Sequence, residues 1–359
     1  MTGHRTTRVS APGMIRVTAE EMTCRATEFL VARGAPEETA QVQAAHLVEA
    51  ELRGHPSHGL RRLIVLGGRI EEGLIDPAAQ PQLDWVAMGA LRVDGRRGFG
   101  PVAAYRAVDA LLERIRSTGI AAASLHTTHH LGMLAPYVER MADAGAIGIV
   151  LSSTEGLVHP WGGAGALLGT NPIGIGVPAT GGDVTVDMST GAVSVGKILD
   201  YRAKNLPLPE GWAVDASGVP TTDAAAAAEG AISPFGGPKG YALGLAFGAM
   251  VGALTGTAFG PDVYGTLDVE HQTTKGDVIV AFDAATFAGA DMRDALGGYL
   301  DLVRASGTGR PVAVPGDRAR AARAERLRDG VEIAADVWEL LDRGEEDVRV
   351  RRADAEGQS

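Results

Sequence analysis

Between Gly119 and Ser152 the chain runs through a small-residue strand, a histidine-rich polar loop, a helix and a second apolar strand. No other stretch limits the fold as tightly. The first strand spans Gly119 to Ser124 and ends at His126-Thr127-Thr128-His129-His130-Leu131-Gly132. The helix covers about Leu134 to Ala144, with Tyr137, Met141 and Ala144 on one face, and Ile147 to Ser152 reads as the second strand. Strand, loop, helix and strand in that order form an α/β unit. In open α/β sheets ligands bind beyond the carboxyl ends of strands, which is where His130 and Thr154 fall. The chain has 359 residues, enough for about two domains, and 45% are hydrophobic but only 5% aromatic, so Ala, Val, Leu and Ile must build the core.

A second organising stretch is Glu51-Leu52-Arg53-Gly54-His55-Pro56-Ser57-His58-Gly59-Leu60-Arg61-Arg62. An Ala-rich helix stops at Gly54 and hands over to a loop held at the end of a rigid element, a common place for catalytic groups. His58 can move a proton near neutral pH, Ser57 can hydrogen-bond a substrate or a neighbour, and Arg62 carries a fork suited to a carboxylate. The competing reading is a plain helix C-terminus with cations at the negative end of the dipole. The delivering helix runs to about Arg53 with Val42, Ala45, Val48 and Leu52 on one face, and Pro36 stands near its start. Before it, Thr18-Ala19-Glu20-Glu21 is a capping box, followed by Met22, Ala26, Phe29 and Leu30 at helical spacing. A third helix is expected from Leu60 to Glu72.

Composition excludes several classes. The net charge of -11 argues against a nucleic-acid partner, which needs a basic face. The single cysteine, Cys24, rules out a disulfide framework or Cys-rich metal site and is expected to be a buried thiol in the first helix. Residues 1–14 lack the apolar segment of a secretory signal, and no stretch reaches the roughly 18 apolar residues of a membrane span. Tyr241 to Phe259 comes nearest and reads as a tightly packed buried helix. A soluble, cytoplasmic protein follows. Two glycine patterns resemble a dinucleotide fingerprint. Gly98 to Ala103 lies between a strand and a helix, but Pro101 and Arg96-Arg97 suit a phosphate turn poorly. Gly174 to Ala179 has no helix after it and is rejected.

The remaining landmarks are Trp161-Gly162-Gly163, Gly169-Thr170-Asn171-Pro172, Asp187-Met188-Ser189-Thr190, Gly196-Lys197-Ile198, Gly211-Trp212-Ala213, Pro220-Thr221-Thr222-Asp223, Gly236-Gly237-Pro238-Lys239-Gly240-Tyr241 and Pro315-Gly316. Taken in order with Ser57-His58-Gly59, Arg62 and His130, they show that the chain resembles the malate/L-lactate dehydrogenase family that is unrelated to Rossmann-type enzymes. The resemblance covers roughly residues 15–345. It implies a non-Rossmann α/β fold with a mixed-sheet nicotinamide-binding domain and a helical substrate and dimerisation part, working as a homodimer. On that basis residues 91–234 form the cofactor domain, residues 15–90 with 235–350 form the helix-rich part, and residues 1–14 and 351–359 are tails. It implies hydride transfer between NAD or NADP and C2 of a small 2-hydroxy or 2-oxo acid.

The same resemblance assigns residues. Arg62 matches the carboxylate arginine. His58 and His130 each match a histidine that serves as acid/base in some branch, with Ser57 paired to His58. Thr154, Thr170 and Asn171 would line the substrate. Asp187, Met188 and Ser189, Lys239 and Gly240, and Pro315, Gly316 and Arg318 would contact the cofactor. Lys197 stands where the imine-reducing branch carries an aspartate, and so favours a neutral histidine and an alcohol or keto-acid substrate. Departures at Glu155, His129, Leu131 and Gly191 bear on which acid is used, and an acidic Glu155 counts against a second carboxylate. Two rivals use the same scaffold, a cyclic-imine (piperideine/pyrroline-2-carboxylate) reductase and a non-catalytic cofactor-binding homologue. A zinc site drawn from His55, His58, His126, His129 and His130 fits no standard ligand spacing, so no metal is expected.

Overall fold

The computed structural model describes residues 13–289, 292–339 and 341. The expected tails at 1–14 and 351–359 lie outside the described residues, apart from Gly13 and Met14. The chain divides into two compact units, residues 1–68 with 319–359, and residues 69–318. The divisions that the resemblance implies, at 90/91 and 234/235, separate a cofactor part from a helix-rich part.

The larger unit is built on a seven-stranded sheet in the order Gln82–Ala87, Ala90–Asp94, Ile120–His126, Asp277–Asp283, Ala146–Ser152, Ile173–Val177, Val184–Met188. The strands on either side of the histidine loop and its helix are therefore parallel but not adjacent. Asp277–Asp283 runs antiparallel between them, pairing Asp277 with both Leu125 and Ser152. This makes the sheet mixed, unlike a doubly wound parallel sheet. It also brings the carboxyl ends of two strands and the start of a third to one edge, where His126–His130, Ser153–Glu155 and Thr273–Asp277 meet.

The core under this sheet is made of small and branched residues, as the aromatic-poor composition requires. Ala121, Ala123, Val150, Ile279 and Ala281 from the strands pack with Ala104, Val108, Leu111, Val138 and Met141 from two helices. Helix Ala135–Asp143 lies so close that a Cβ on Gly176 would stand 2.4 Å from the Val138 carbonyl oxygen. The second glycine pattern thus serves helix–sheet packing. Ala144, expected on the buried face, is exposed beyond that helix. A second sheet of five short strands carries a separate core of Val158, Leu168, Ile198, Leu208 and Ile232.

Helix Pro238–Thr255 differs from its expectation. Only Gly240, Gly244, Val251 and Gly252 are buried on it, while Leu243, Leu245, Met250 and Leu254 are exposed. Its apolar character is not consumed within the unit. No helix among the described residues is long and apolar enough to cross a membrane.

The smaller unit pairs helices Ala19–Val31 and Glu37–Arg53 and adds strand Met14–Val17, antiparallel to Val331–Ala334. The capping box forms as expected, with Glu21 N–H donating to Thr18 Oγ1 and Thr18 N–H to the Glu21 carboxylate. Met22, Ala26, Phe29 and Leu30 are all buried. Cys24 is exposed, contrary to expectation, because it lies on the opposite face, two residues from Met22 and from Ala26. On helix Glu37–Arg53 the buried face is also rotated from the expected one. Ala45 is exposed, whereas Gln43, His46 and Glu51 are buried. Hydrophobic spacing cannot find a face that, with Thr39, contains four buried polar residues.

Candidate functional site

In the smaller unit, helix Glu37–Arg53 ends on Gly54, whose φ of +85° is the left-handed cap that turns the chain away. Pro56–His58 forms one 3-10 turn, and helix Arg62–Glu71 starts immediately after. Ser57 is exposed, and His58 and Arg62 are half-buried. Arg62 Nε donates to the Ser57 carbonyl oxygen at 2.9 Å, which fixes the guanidinium plane relative to the turn. His58 N–H donates to His55 O at 2.9 Å, and Arg62 N–H to Gly59 O at 2.9 Å. Burial holds the His58 imidazole down at about 4, and the charges on Arg62 and His55 push in the same direction. At neutral pH this ring is a base.

The end of the helix that presents this turn is clamped. Glu49 receives Arg323 through contacts of 2.7 to 3.0 Å and Arg53 at 3.1 Å. Arg326 Nη1 donates to the Glu51 carbonyl oxygen at 2.5 Å. The arginine-rich segment that grips this helix end lies 274 to 275 residues further along the chain, beyond the reach of any local pattern.

In the larger unit the loop from His126 to Leu131 is tied down at His126, Thr127, Thr128, His129 and Leu131. Gly95 N–H and Arg97 N–H donate to the carbonyls of His126 and Thr127. Thr128 Oγ1 donates to Asp277 Oδ2 at 3.0 Å, and Thr273 Oγ1 to the Thr128 carbonyl. Tyr137 OH donates to the Leu131 carbonyl at 2.5 Å. Gly100 packs so tightly that a Cβ there would lie 2.4 and 2.5 Å from the carbonyl oxygens of His129 and His130. The glycine at position 100 is therefore required by the close approach of the His129–His130 backbone. His130 is half-buried at the end of this loop. Beneath it, Lys275 and Asp277 form a fully buried ion pair, Nζ to Oδ2 2.5 Å.

His129 is buried, and its Nε2–H donates to the Leu74 carbonyl at 3.0 Å. A carbonyl can only accept, so Nε2 carries a proton. Burial holds it down at about 3, with Arg69 and then Lys275 adding to the effect. The unfolded chain binds a proton near 6.5 that the folded chain refuses down to about 3. Stability is therefore lost as pH falls through that window, by at most about 1.4 kcal/mol per pH unit. His58 contributes with the same sign. Thermal scans from pH 7 to 4 should show a falling Tm, and His129→Gln, which keeps an N–H donor, should flatten the fall. An unchanged slope would show that His129 is not the group that resists protonation.

Thr154, Thr170 and Asn171 form one network. Thr170 N–H donates to Thr154 Oγ1 at 2.8 Å, and the two hydroxyls stand 3.2 Å apart. Asn171, at the unusual φ of +26°, accepts from Thr154 N–H and donates to the Gly244 carbonyl at 2.9 Å. Thr190 N–H and Oγ1 both donate to the Thr170 carbonyl. Glu155 behaves differently from its expected role as a repelling charge. Its carboxylate accepts from Thr266 N–H at 2.6 Å, from the Thr266 hydroxyl and from Leu267 N–H at 3.1 Å. It pins a loop that buried Arg69 holds through the carbonyls of Asp268 and His271.

Asp187 Oδ2 accepts from Leu134 N–H and Ala135 N–H at 2.7 and 2.8 Å, capping the helix that follows the His130 loop. Met188 is exposed, and Ser189 Oγ donates to Gly191 O. Pro315 is tied to the same strand, its carbonyl accepting from Thr185 N–H at 3.0 Å. Gly316 follows with φ of +100°, and Arg318 is exposed. Lys239 is exposed in the first turn of helix Pro238–Thr255, and Gly240 fits there only without a Cβ, which would stand 1.9 Å from the Phe235 carbonyl oxygen. Lys197 is exposed, its Nζ 5.6 Å from the centre of the Trp212 ring. Among the described residues no group of three or more His, Cys, Asp or Glu is arranged to hold a metal.

The malate/L-lactate dehydrogenase family model matches residues 17–342. A dehydrogenase from Sinorhizobium meliloti of solved structure is 44% identical, with a TM-score of 0.88 over 92% of this chain and 98% of that one. The malate/(S)-sulfolactate dehydrogenase of Methanothermus fervidus is 35% identical over 326 residues, 90% of this chain and 96% of that one. The delta(1)-pyrroline-2-carboxylate reductase of Pseudomonas fluorescens is 34% identical over 339 residues, 90% and 97% of the two chains. The class is that of oxidoreductases that transfer a hydride. Within it, the chain belongs to the malate/L-lactate dehydrogenase family.

Proposed function

We propose that the protein is an NAD- or NADP-dependent dehydrogenase of a small 2-hydroxy acid, reducing the matching 2-oxo acid in reverse. The observation that carries this reading is the Ser57–Arg62 turn. It puts a neutral imidazole and a guanidinium of fixed orientation on one short segment. Arg62 takes the substrate carboxylate in the manner that suits a planar fork. His58 removes the hydroxyl proton as C2 gives up its hydride, and returns it in the reverse direction. The resemblance gives His130, Thr154 and Thr170 the task of orienting the substrate, and the Thr154–Thr170 hydroxyl pair is the part of that set held together within the larger unit. Malate, lactate, ureidoglycolate and sulfolactate-like acids are the candidates. Glu155 no longer weighs against a dianion, since its oxygens are engaged by the 266–267 amides and the Thr266 hydroxyl.

The cofactor supplies the hydride acceptor at the nicotinamide. The residues present suit an anionic diphosphate. The first turn of the 18-residue helix Pro238–Thr255 places the positive end of a helix dipole beside exposed Lys239. Asp187, Met188, Ser189, Pro315, Gly316 and Arg318 complete the proposed contacts. The exposed apolar side chains of that same helix support a homodimer, which light scattering on the purified protein would test. A soluble, cytoplasmic enzyme is part of the same proposal.

The test is turnover followed by nicotinamide absorbance. NADH and NADPH are offered with 2-oxo acids and cyclic imines, and NAD and NADP with 2-hydroxy acids. Arg62→Gln should raise KM for the acid by about tenfold or more, the worth of a charge-assisted bidentate contact. Turnover of cyclic imines alone would transfer the reading to the reductase branch, as the Pseudomonas relative suggests. Cofactor binding without any turnover would support a non-catalytic homologue.

A further inference from the structure

Glu51 is a buried carboxylate that the proposed chemistry does not use, and it lies directly under the His58 turn. It is 5% exposed, on the last turn of helix Glu37–Arg53. Its Oε1 accepts from Leu60 N–H at 2.9 Å, reaching across nine residues of chain. It also fills the space left by Gly59, where a Cβ would stand 2.0 Å from Oε1 and 2.4 Å from Cδ. Gly59 and Leu60 are the two residues that join His58 to Arg61 and Arg62, and the Gly59 carbonyl accepts from Arg62 N–H. Burial pushes the Glu51 carboxyl up, against the lowering effects of the Leu60 amide and Arg326. An acid retained in such a place costs stability unless its oxygens are used.

We infer that Glu51 is the positioning residue of the His58 turn, setting where His58 and Arg62 stand through the Leu60 amide and the vacancy at Gly59. The inference rests on the proposed roles of those two residues, but not all of its test does. Glu51→Gln keeps an oxygen for Leu60 N–H at the same length and should retain most of the activity. Glu51→Ala removes the acceptor and opens the space, and should cut kcat at least tenfold while the Kd for the nicotinamide cofactor is unchanged. Gly59→Ala should be poorly tolerated alone. Paired with Glu51→Ala, it should cost less than the two single effects combined, since the added methyl then has room.

A readout independent of turnover is the His58 ring resonance, assigned by its loss in His58→Ala. In Glu51→Ala it should move and titrate nearer the ordinary histidine range, while Glu51→Gln leaves it in place. Should the wild type turn over no acid at all, the proposed function fails while this resonance still tests Glu51. A His58 resonance and a kcat unmoved in Glu51→Ala would overturn the inference. So would equal losses in the Gln and Ala variants, or fully additive effects at 51 and 59.

Discussion

Asp277→Ala is expected to destabilise the larger unit by about 3–5 kcal/mol, the cost of leaving one member of a buried ion pair uncompensated. Lys275 and Asp277 are 1% and 0% exposed and 2.5 Å apart, so neither charge can recover its hydration when the other is removed. Asp277 also receives the Thr128 hydroxyl, and the change therefore loosens the loop that ends at His130. The thermal midpoint should fall by on the order of 10 °C. Lys275→Met should be comparably harmful. The double variant Lys275→Met/Asp277→Leu removes both charges and should recover much of the loss, since an apolar pair avoids the desolvation that an ion pair must offset. An Asp277→Ala midpoint within roughly 2 °C of the parent would show that Lys275 finds another partner or water there, and the pair would lose its structural importance.

That ion pair illustrates what the sequence could and could not show. Local signals were legible where backbone chemistry acts over a few residues. The Thr18–Glu21 capping box, the stop at Gly54 and the strand, loop, helix and strand around His130 all depend on neighbours. The order of the strands was not legible. Asp277–Asp283 inserts between two strands more than 120 residues earlier, and a strand's apolar pattern does not name its partners. For the same reason nothing local in the sequence marks Lys275 and Asp277 as a buried pair, or Arg323 and Arg326 as partners of a distant helix end.

Polar side chains used internally were also misread. Glu155 looks like a charge available to repel a substrate, yet three donors on residues 266 and 267 occupy it. Glu51 interrupts the apolar face of its helix and so hides the residue that supports the His58 turn. Helix Pro238–Thr255 shows the reverse case, in which apolar composition suggested burial that the unit itself does not supply. The proposed site residues rest chiefly on the resemblance, which names them in order. Physical chemistry alone reached His58, Arg62, His130 and Thr154, through a helix stop and two strand ends.

His58→Ala should lower kcat by about 10²–10⁴-fold, the usual contribution of a positioned acid/base, with cofactor affinity unchanged. The pH dependence then separates His58 from His130. With the imidazole held at about 4, chiefly by burial and then by Arg62 and His55, its basic form dominates above that pH. In the oxidation direction kcat/KM, which reports the free enzyme, should stay level through 6.5, where an unshifted histidine would already lose activity, and fall only towards pH 4. Arg62→Gln removes a charge that disfavours protonation, so in that variant the falling limb should move up towards 6.5. Rates are read in brief pH-jump assays, because the same acidification weakens the fold through His129. The reverse reaction needs the protonated ring, and the substrate carboxylate on Arg62 would offset the charge that opposes it. Reduction should therefore show proton uptake on binding of the 2-oxo acid, measurable with a pH indicator in weak buffer. If His130→Ala loses more kcat than His58→Ala, and the limb of the parent enzyme stands near 6.5, the proton belongs to His130 and His58 serves the carboxylate alongside Arg62.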